Sequence, residues 1–162
     1  PDMIQKLQDE DALPTQLYLS TNAADYESFM KINKPKYDDS WERWNKTLDM
    51  LKDLNTRTVL RITLIRDYND QKESIPAFAE MFRKASPHFI EIKSYMHIGR
   101  STNRLEHENM LEMDEVKNFS EEIAKQSKIF SIMDESIISR ISILQNNERF
   151  IDRFISTYAN TI

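Results

Sequence analysis

Three short segments of this chain share one pattern, an apolar residue at every second position. Leu17 and Leu19 carry it in Gln16–Ser20, Leu60, Ile62 and Leu64 in Val59–Leu64, and Ile90 and Ile92 in Phe89–Tyr95. Successive side chains of a β-strand point to opposite faces. Each segment therefore pairs an apolar face with a polar one, made of Gln16/Tyr18/Ser20, Arg61/Thr63 and Glu91/Lys93/Tyr95. Helical periodicity separates the three segments, and strands alternating with helices predict a right-handed βαβ array over a parallel sheet. Parallel strands normally read as continuous apolar runs because both faces are covered. A parallel sheet with one polar face is expected to line a cavity used for binding or chemistry.

The remaining elements follow from local signals. Met3, Ile4 and Leu7 mark a helix end over residues 3–8, and the Asp11–Gln16 stretch reads as a loop. Asp25–Met30 predicts a short helix that stops near Asn33-Lys34-Pro35, since a residue before proline avoids helical dihedrals. Asp39, with Glu42 three residues on, is expected to cap a helix that buries Trp41, Trp44, Leu48 and Leu51. The second strand is expected over Thr58–Ile65. Ser74 is expected to cap a helix that buries Phe78 and Phe82, and Val116, Phe119 and Ile123 mark another. Two final strands, Ile129–Met133 and Arg140–Leu144, are expected to join through Asp134-Glu135-Ser136. An amphipathic helical tail over Glu148–Tyr158 would then show Phe150, Ile151, Phe154, Ile155 and Tyr158 on one side. The order (α)βααβαβαββα places the chain in the α/β class.

Composition removes several chemistries. At 162 residues the chain is one domain's worth. It has no cysteine, which excludes disulfides, thiolate zinc sites, cysteine nucleophiles and any thiolate-held iron–sulfur cluster within it. His88, His97 and His107 are scattered, so no metal site is expected. A single glycine, Gly99, excludes the P-loop and the GxGxxG fingerprint. The net charge of −5 gives no global field favouring nucleic acid, though a local basic patch is compatible with it. No apolar run is long enough for a membrane span and no signal peptide is visible, so a cytoplasmic chain is expected. The first residue is Pro1 rather than methionine, so upstream sequence is expected.

Sites in parallel α/β architectures form at the carboxyl ends of the strands. Here these ends are Ser20-Thr21-Asn22, Ile65-Arg66 and Tyr95-Met96-His97. Glu91 and Lys93 share one strand face, and buried charges are costly unless paired. They are expected to pair with each other or with Arg61, either in a salt-bridged interior or at a substrate site. The connection Met96–Met110 holds Arg100, Asn103, Arg104 and Asn109, with His97 and His107 nearby. Its arginines suit phosphate binding, against the alternative of a solvated loop, and its length favours function. Tyr68 and Tyr95 can stack a base or pack in the core. Asp134-Glu135 are expected at a strand-to-strand turn.

Leu13–Ala23 (LPTQLYLSTNA), Thr56–Arg66 (TRTVLRITLIR), Phe89–Leu105 (FIEIKSYMHIGRSTNRL), Glu108–Met110 and Asp134–Leu144 together resemble the radical S-adenosylmethionine family of tRNA 4-demethylwyosine synthases, particularly its archaeal form. The resemblance spans about residues 11–144. It implies that residues 1–144 are the C-terminal half of a partial (β/α)6 barrel, with residues 145–162 a helical tail. It also implies a reaction: condensation of pyruvate carbons with N1-methylguanosine beside the anticodon of tRNA-Phe. The family uses S-adenosylmethionine and a 4Fe–4S cluster held by CxxxCxxC after its first strand. Archaeal forms add a second cluster and a lysine that holds pyruvate.

This chain has no CxxxCxxC and nothing like the family's first three strands, and Leu111 stands where proline is usual. The resemblance carries Ser20, Asn22, Arg61, Thr63 and Arg66 to the cofactor pocket. Glu91, Lys93 and Tyr95 fall on the strand that closes the lumen, with Lys93 and Glu91 as catalytic candidates. Tyr95, His97, Arg100, Arg104 and Asn109 fall where tRNA approaches. The partners implied are tRNA-Phe, pyruvate and the missing N-terminal half of the barrel, without which the chain is expected to be inactive. Self-association through the first strand's open edge is also expected. The competing readings are a non-catalytic tRNA- or ligand-binding module and a structural domain.

Overall fold

β-Branched and leucine side chains at alternating positions drive the strands, and they fix which face is buried. The computed structural model describes residues 1–155. In chain order it holds α1 (Asp2–Asp9), β1 (Gln16–Thr21), α2 (Tyr26–Asn33), α3 (Ser40–Met50), β2 (Arg57–Leu64), α4 (Ile75–Ala85), β3 (Phe89–Ser94), α5 (Met113–Ser127), β4 (Phe130–Ser136) and β5 (Ile141–Asn146). One five-stranded sheet has the order β1-β2-β3-β5-β4. Leu60, Ile62, Leu64, Ile90, Ile92 and Leu144 are fully buried on its apolar face. There they join Leu48, Phe78, Phe82, Val116, Phe119 and Ile123 of α3, α4 and α5 in one core. Each such side chain contributes roughly 1.5–3 kcal/mol by leaving water. The opposite face stays open: Tyr18 and Ser20 are exposed, and Arg61, Thr63 and Lys93 are half-buried.

The sheet is mixed rather than parallel. β1, β2 and β3 are parallel, whereas β5 runs antiparallel to both β3 and β4. The reason is the connection. Only residues 137–140 separate β4 from β5, and a parallel return needs a crossover of a dozen or more residues. Asp134, Glu135 and Ser136, expected in the turn, lie in β4, where a register shift falls between Ile132 and Asp134.

Asp25 caps α2 by accepting the Ser28 amide at 2.9 Å. Asp39 makes no such bond and instead lies 3.9 Å from the Arg43 guanidinium. Ser74 likewise turns its hydroxyl to the carbonyls of Asn69 and Gln71. Trp41 and Trp44 are half-buried, while Leu48 and Leu51 of the same stripe are buried. Past β5, residues 147–155 are irregular instead of helical. The Arg57 guanidinium donates to the carbonyls of Asp152, Arg153 and Phe154 at 2.5, 2.9 and 3.2 Å, and Gln145 donates to that of Ile151 at 2.8 Å. Side chains thus take the carbonyls that a helix would use. Tyr158, the last member of the expected stripe, lies outside the described residues. No helix among the described residues is long and apolar enough to cross a membrane.

Candidate functional site

The open face is organised by rungs of aligned residues. Ser20, Arg61, Glu91 and Ile143 form one rung, and Thr63, Lys93 and Ile141 form part of the next. Arg61 Nε donates to Glu91 Oε1 at 2.8 Å, and its guanidinium lies 4.7 Å from the centre of the Tyr18 ring. Glu91 is 8% exposed, and Arg61 supplies the partner that a buried carboxylate needs. Burial, reinforced by the Glu91 charge, pushes the Tyr18 phenol up. Of the two expected partners for Glu91, the structure selects Arg61 and leaves Lys93 aside. Lys93 is half-buried, and its ammonium has no ion-pair partner among the described residues. Glu91 is therefore a fixed counter-ion, and Lys93 is the uncommitted charge of this face.

A cavity of about 280 Å³ lies where the parallel strands end. Asn22, Thr63, Tyr95 and Arg104 all line it, as do Tyr68 and Ser101. The Tyr95 hydroxyl lies 3.2 Å from Ser101 Oγ and 3.2 Å from His97 Nδ1, and the His97 and His107 rings are 6.1 Å apart. Tyr95 is itself buried, so its hydroxyl is presented from a fixed ring. This wall stands on Asn69, 2% exposed. Its Oδ1 accepts the Ile65 amide at 2.7 Å, and its Nδ2 donates to the Asn22 and Thr63 carbonyls at 2.9 Å each. Asn22 in turn accepts the Thr63 amide at 3.2 Å. Three backbone polar groups that end β1 and β2 are thereby satisfied away from water.

The other candidates are distributed differently. Arg66, expected to face a cofactor, is a clamp. It makes paired bonds of 2.6 and 2.7 Å to Glu115 and donates to the Glu108 and Met110 carbonyls at 3.0 Å each. Its fork geometry suits this bidentate role and leaves little donor capacity for a ligand. Asn109 accepts the Arg66 amide on its backbone carbonyl at 3.0 Å, returns a side-chain bond to the Arg66 carbonyl at 3.2 Å, and accepts the Glu106 amide at 2.8 Å. It shapes the loop rather than facing a partner. Arg100 is exposed in a 3-10 turn, Gly99–Asn103. Ser20 is exposed on the open face, outside the cavity lining.

Lys31 and Lys34 also line the cavity, and Asn69 supports it. None of the three stood out in the sequence. Lys31 and Lys34 sit at the far end of α2 rather than in the loop directly after β1, so the strand-end rule does not reach them. Among the described residues no group of three or more His, Cys, Asp or Glu can hold a metal. With no thiolate in the chain, its residues do not fit an iron–sulfur cluster. The hydroxyls of Ser20 and Thr63 and the ammonium of Lys93 do suit one polar side of a charged small molecule on the open face.

Residues 84–146 match the family model for wyosine base formation. Over 153 residues the chain is 42% identical to the S-adenosyl-L-methionine-dependent tRNA 4-demethylwyosine synthase of Methanocaldococcus jannaschii, covering 93% of this chain and 45% of that protein. The synthase of Pyrococcus abyssi is 37% identical over 148 residues, with 91% and 43% covered. The chain thus spans less than half the length of these relatives. Among solved structures, TYW1 with a lysine–pyruvate adduct bound superposes with a TM-score of 0.78 at 41% identity, covering 88% of this chain and 44% of that one. Archaeal TYW1 gives 0.70 at 37% identity, with 90% and 45% covered.

Proposed function

This chain is a relative of the S-adenosyl-L-methionine-dependent tRNA 4-demethylwyosine synthases over nine-tenths of its length, and on that premise we propose that it supplies one wall of such an enzyme's active site. The observation that carries this is the placement of Thr63, Tyr95 and Arg104 around one cavity at the strand ends, beside a sheet face that keeps Lys93 uncommitted. The sheet β1–β3 is the C-terminal part of a partial (β/α)6 barrel, and its polar face is the lumen wall. The intact cytoplasmic enzyme condenses pyruvate carbons with N1-methylguanosine beside the anticodon of tRNA-Phe.

A 4Fe–4S cluster with S-adenosylmethionine supplies the radical when bound, and its ligands lie outside this chain. This chain's own residues bind and orient. Lys93 offers a positive charge to a carboxylate in the lumen, and the Arg61–Glu91 pair leaves that charge uncommitted. Tyr95 and His97 share a hydrogen-bonded contact able to hold a proton at the Tyr95 oxygen. Arg104 faces the tRNA.

The competing reading is a tRNA-binding module without catalysis. One experiment separates the two: tRNA incubated with the protein carrying this chain, reduced and supplied with S-adenosylmethionine and pyruvate, then digested and weighed by mass spectrometry. Formation of 4-demethylwyosine, reduced at least tenfold by Lys93→Ala, supports the enzyme. Wild-type turnover in Lys93→Ala removes Lys93 from the site, and tRNA binding with no product leaves the binding module.

A further inference from the structure

The cavity at the strand ends carries more positive charge than orienting one base requires. Lys31 comes from the last turn of α2, Lys34 from its C-cap, and Arg104 from the connection after β3. All three line the same cavity and are exposed, and none has an ion-pair partner among the described residues. No carboxylate lines it. The nearest acidic turn, Asp67–Asp70, points elsewhere: Asp70 accepts the Asp67 amide and lines the groove against α5.

Lys31 Nζ lies 5.5 Å from the centre of the Tyr68 ring, a contact that positions the ammonium without cancelling its charge. Lys34 closes α2 with φ 45° and ψ 58°, a conformation more often given to glycine at this position, and Pro35 follows it. Its backbone is thus pinned at the rim. Thr63 and Ser101 add hydroxyls to the lining. In a chain of net charge −5, three unpaired cations around one hydroxyl-lined cavity describe an anion site.

We propose that Lys31, Lys34 and Arg104 form a subsite for a backbone phosphate of the RNA at the rim of this cavity, beside the groups that face the reacting base. The proposal rests on the tRNA-modifying reading of this chain. Exposure favours an RNA phosphate over a free anion. The three cations come from two different connections and stay at the surface, where a diester can enter while still linked on both sides. Their job is to fix register, which phosphate contacts do without reading sequence.

The test is the salt dependence of binding, by fluorescence anisotropy, to a labelled anticodon stem-loop RNA. Each phosphate neutralised contributes about 0.7–0.9 to the slope of log K against log salt. Replacing Lys31, Lys34 and Arg104 together by glutamine should cut the slope by about 0.7–0.9, the share of one phosphate, and weaken binding at least tenfold, while Lys31→Arg retains wild-type binding. Lys72→Gln, on the helical side, serves as the control and should leave both unchanged. Thermal melting of every variant checks folding. A triple variant with wild-type slope overturns the subsite while the tRNA-modifying reading stands, provided the wild type binds RNA. A wild type that does not bind RNA overturns both. Inorganic phosphate that raises the melting temperature of the wild type but not of the triple variant, with the RNA slope unchanged, marks a free-anion site and overturns the RNA proposal.

Discussion

Arg66 and Glu115 are joined by two hydrogen bonds of 2.6 and 2.7 Å that tie the carboxyl end of β2 to the first turn of α5. The bonds from Arg66 hold the Glu115 carboxyl below its usual range. The same glutamate accepts the Glu112 amide at 2.8 Å, so one carboxylate closes both a helix cap and a clamp on the loop before α5. Both side chains are about one-third exposed, which discounts the pair relative to a buried one. Arg66→Met should destabilise the fold by about 1–2 kcal/mol in urea titration. Because the Glu115 pair is favoured by the charged form, this stability is present at neutral pH and lost as pH falls through the depressed carboxyl pKa. A midpoint unchanged at pH 7 would show that the clamp contributes nothing.

His88 stands at the start of β3, where its Nδ1 accepts the Thr58 amide at 3.1 Å. Burial, followed by the charges of Arg149 and Arg57, lowers its pKa to about 4. The unfolded chain takes up this proton near the ordinary histidine value of about 6.5 and the folded chain does not. Stability from this group is therefore complete above about pH 6.5 and lost as pH falls toward 4. His88→Asn keeps an acceptor for Thr58 but cannot be protonated there. It should flatten the decline in melting temperature between these values, and an identical decline in the variant would sink the assignment.

Ser142 pairs with Ile92 across β3 and β5, is fully buried, and its Oγ has no hydrogen-bond partner. An unpaired buried hydroxyl costs about 1–3 kcal/mol of desolvation. Ser142→Ala should leave stability unchanged or raise it by about 0.5–1 kcal/mol. A loss of 1 kcal/mol or more in denaturant titration would reveal a partner for the hydroxyl.

Asn69→Ala removes the three hydrogen bonds that end β1 and β2 and leaves buried backbone groups unsatisfied. A loss of about 2–4 kcal/mol is expected. RNA affinity should fall with it, since Asn22 and Thr63 form the adjoining wall. Wild-type stability in this variant would mean that the backbone finds other partners at no cost.

β1 borders the sheet, with its outer hydrogen-bonding edge unpaired among the described residues. Such an edge templates association. Light scattering of the 162-residue chain at high concentration should show dimers or larger species. Ser20→Lys, on the exposed face of β1, should reduce them, and a clean wild-type monomer would count against the edge.

Much of the fold could be read before the structure. Leu60, Ile62, Leu64, Ile90 and Ile92 alternate so regularly that both the strands and their buried side followed from period alone. Asp39 and Ser74 misled because capping competes with tertiary partners, and Arg43 and the Asn69 carbonyl won. The sense of β5 was hidden because Asp134–Ser136 look like turn residues, while strand direction depends on the few residues after them. Of the candidates that line the cavity, Tyr95 was marked by the strand-end rule, Thr63 by the polar strand face and the family resemblance, and Arg104 by the long connection after β3. Lys31 and Lys34 were not, since exposed lysines at a helix end look like ordinary solvated charge until the fold brings Arg104 opposite them.

The last strand among the described residues is an interior strand. β5 lies between β3 and β4, with Leu144 and Asn146 fully buried. Without β5, β4 has no neighbour in the sheet and β3 exposes its second edge, so the four other strands cannot form one sheet in this arrangement. A fold with β5 displaced exposes an edge on β3 in addition to that on β1. For this fold, losing β5 would open the interior of the sheet rather than trim its border.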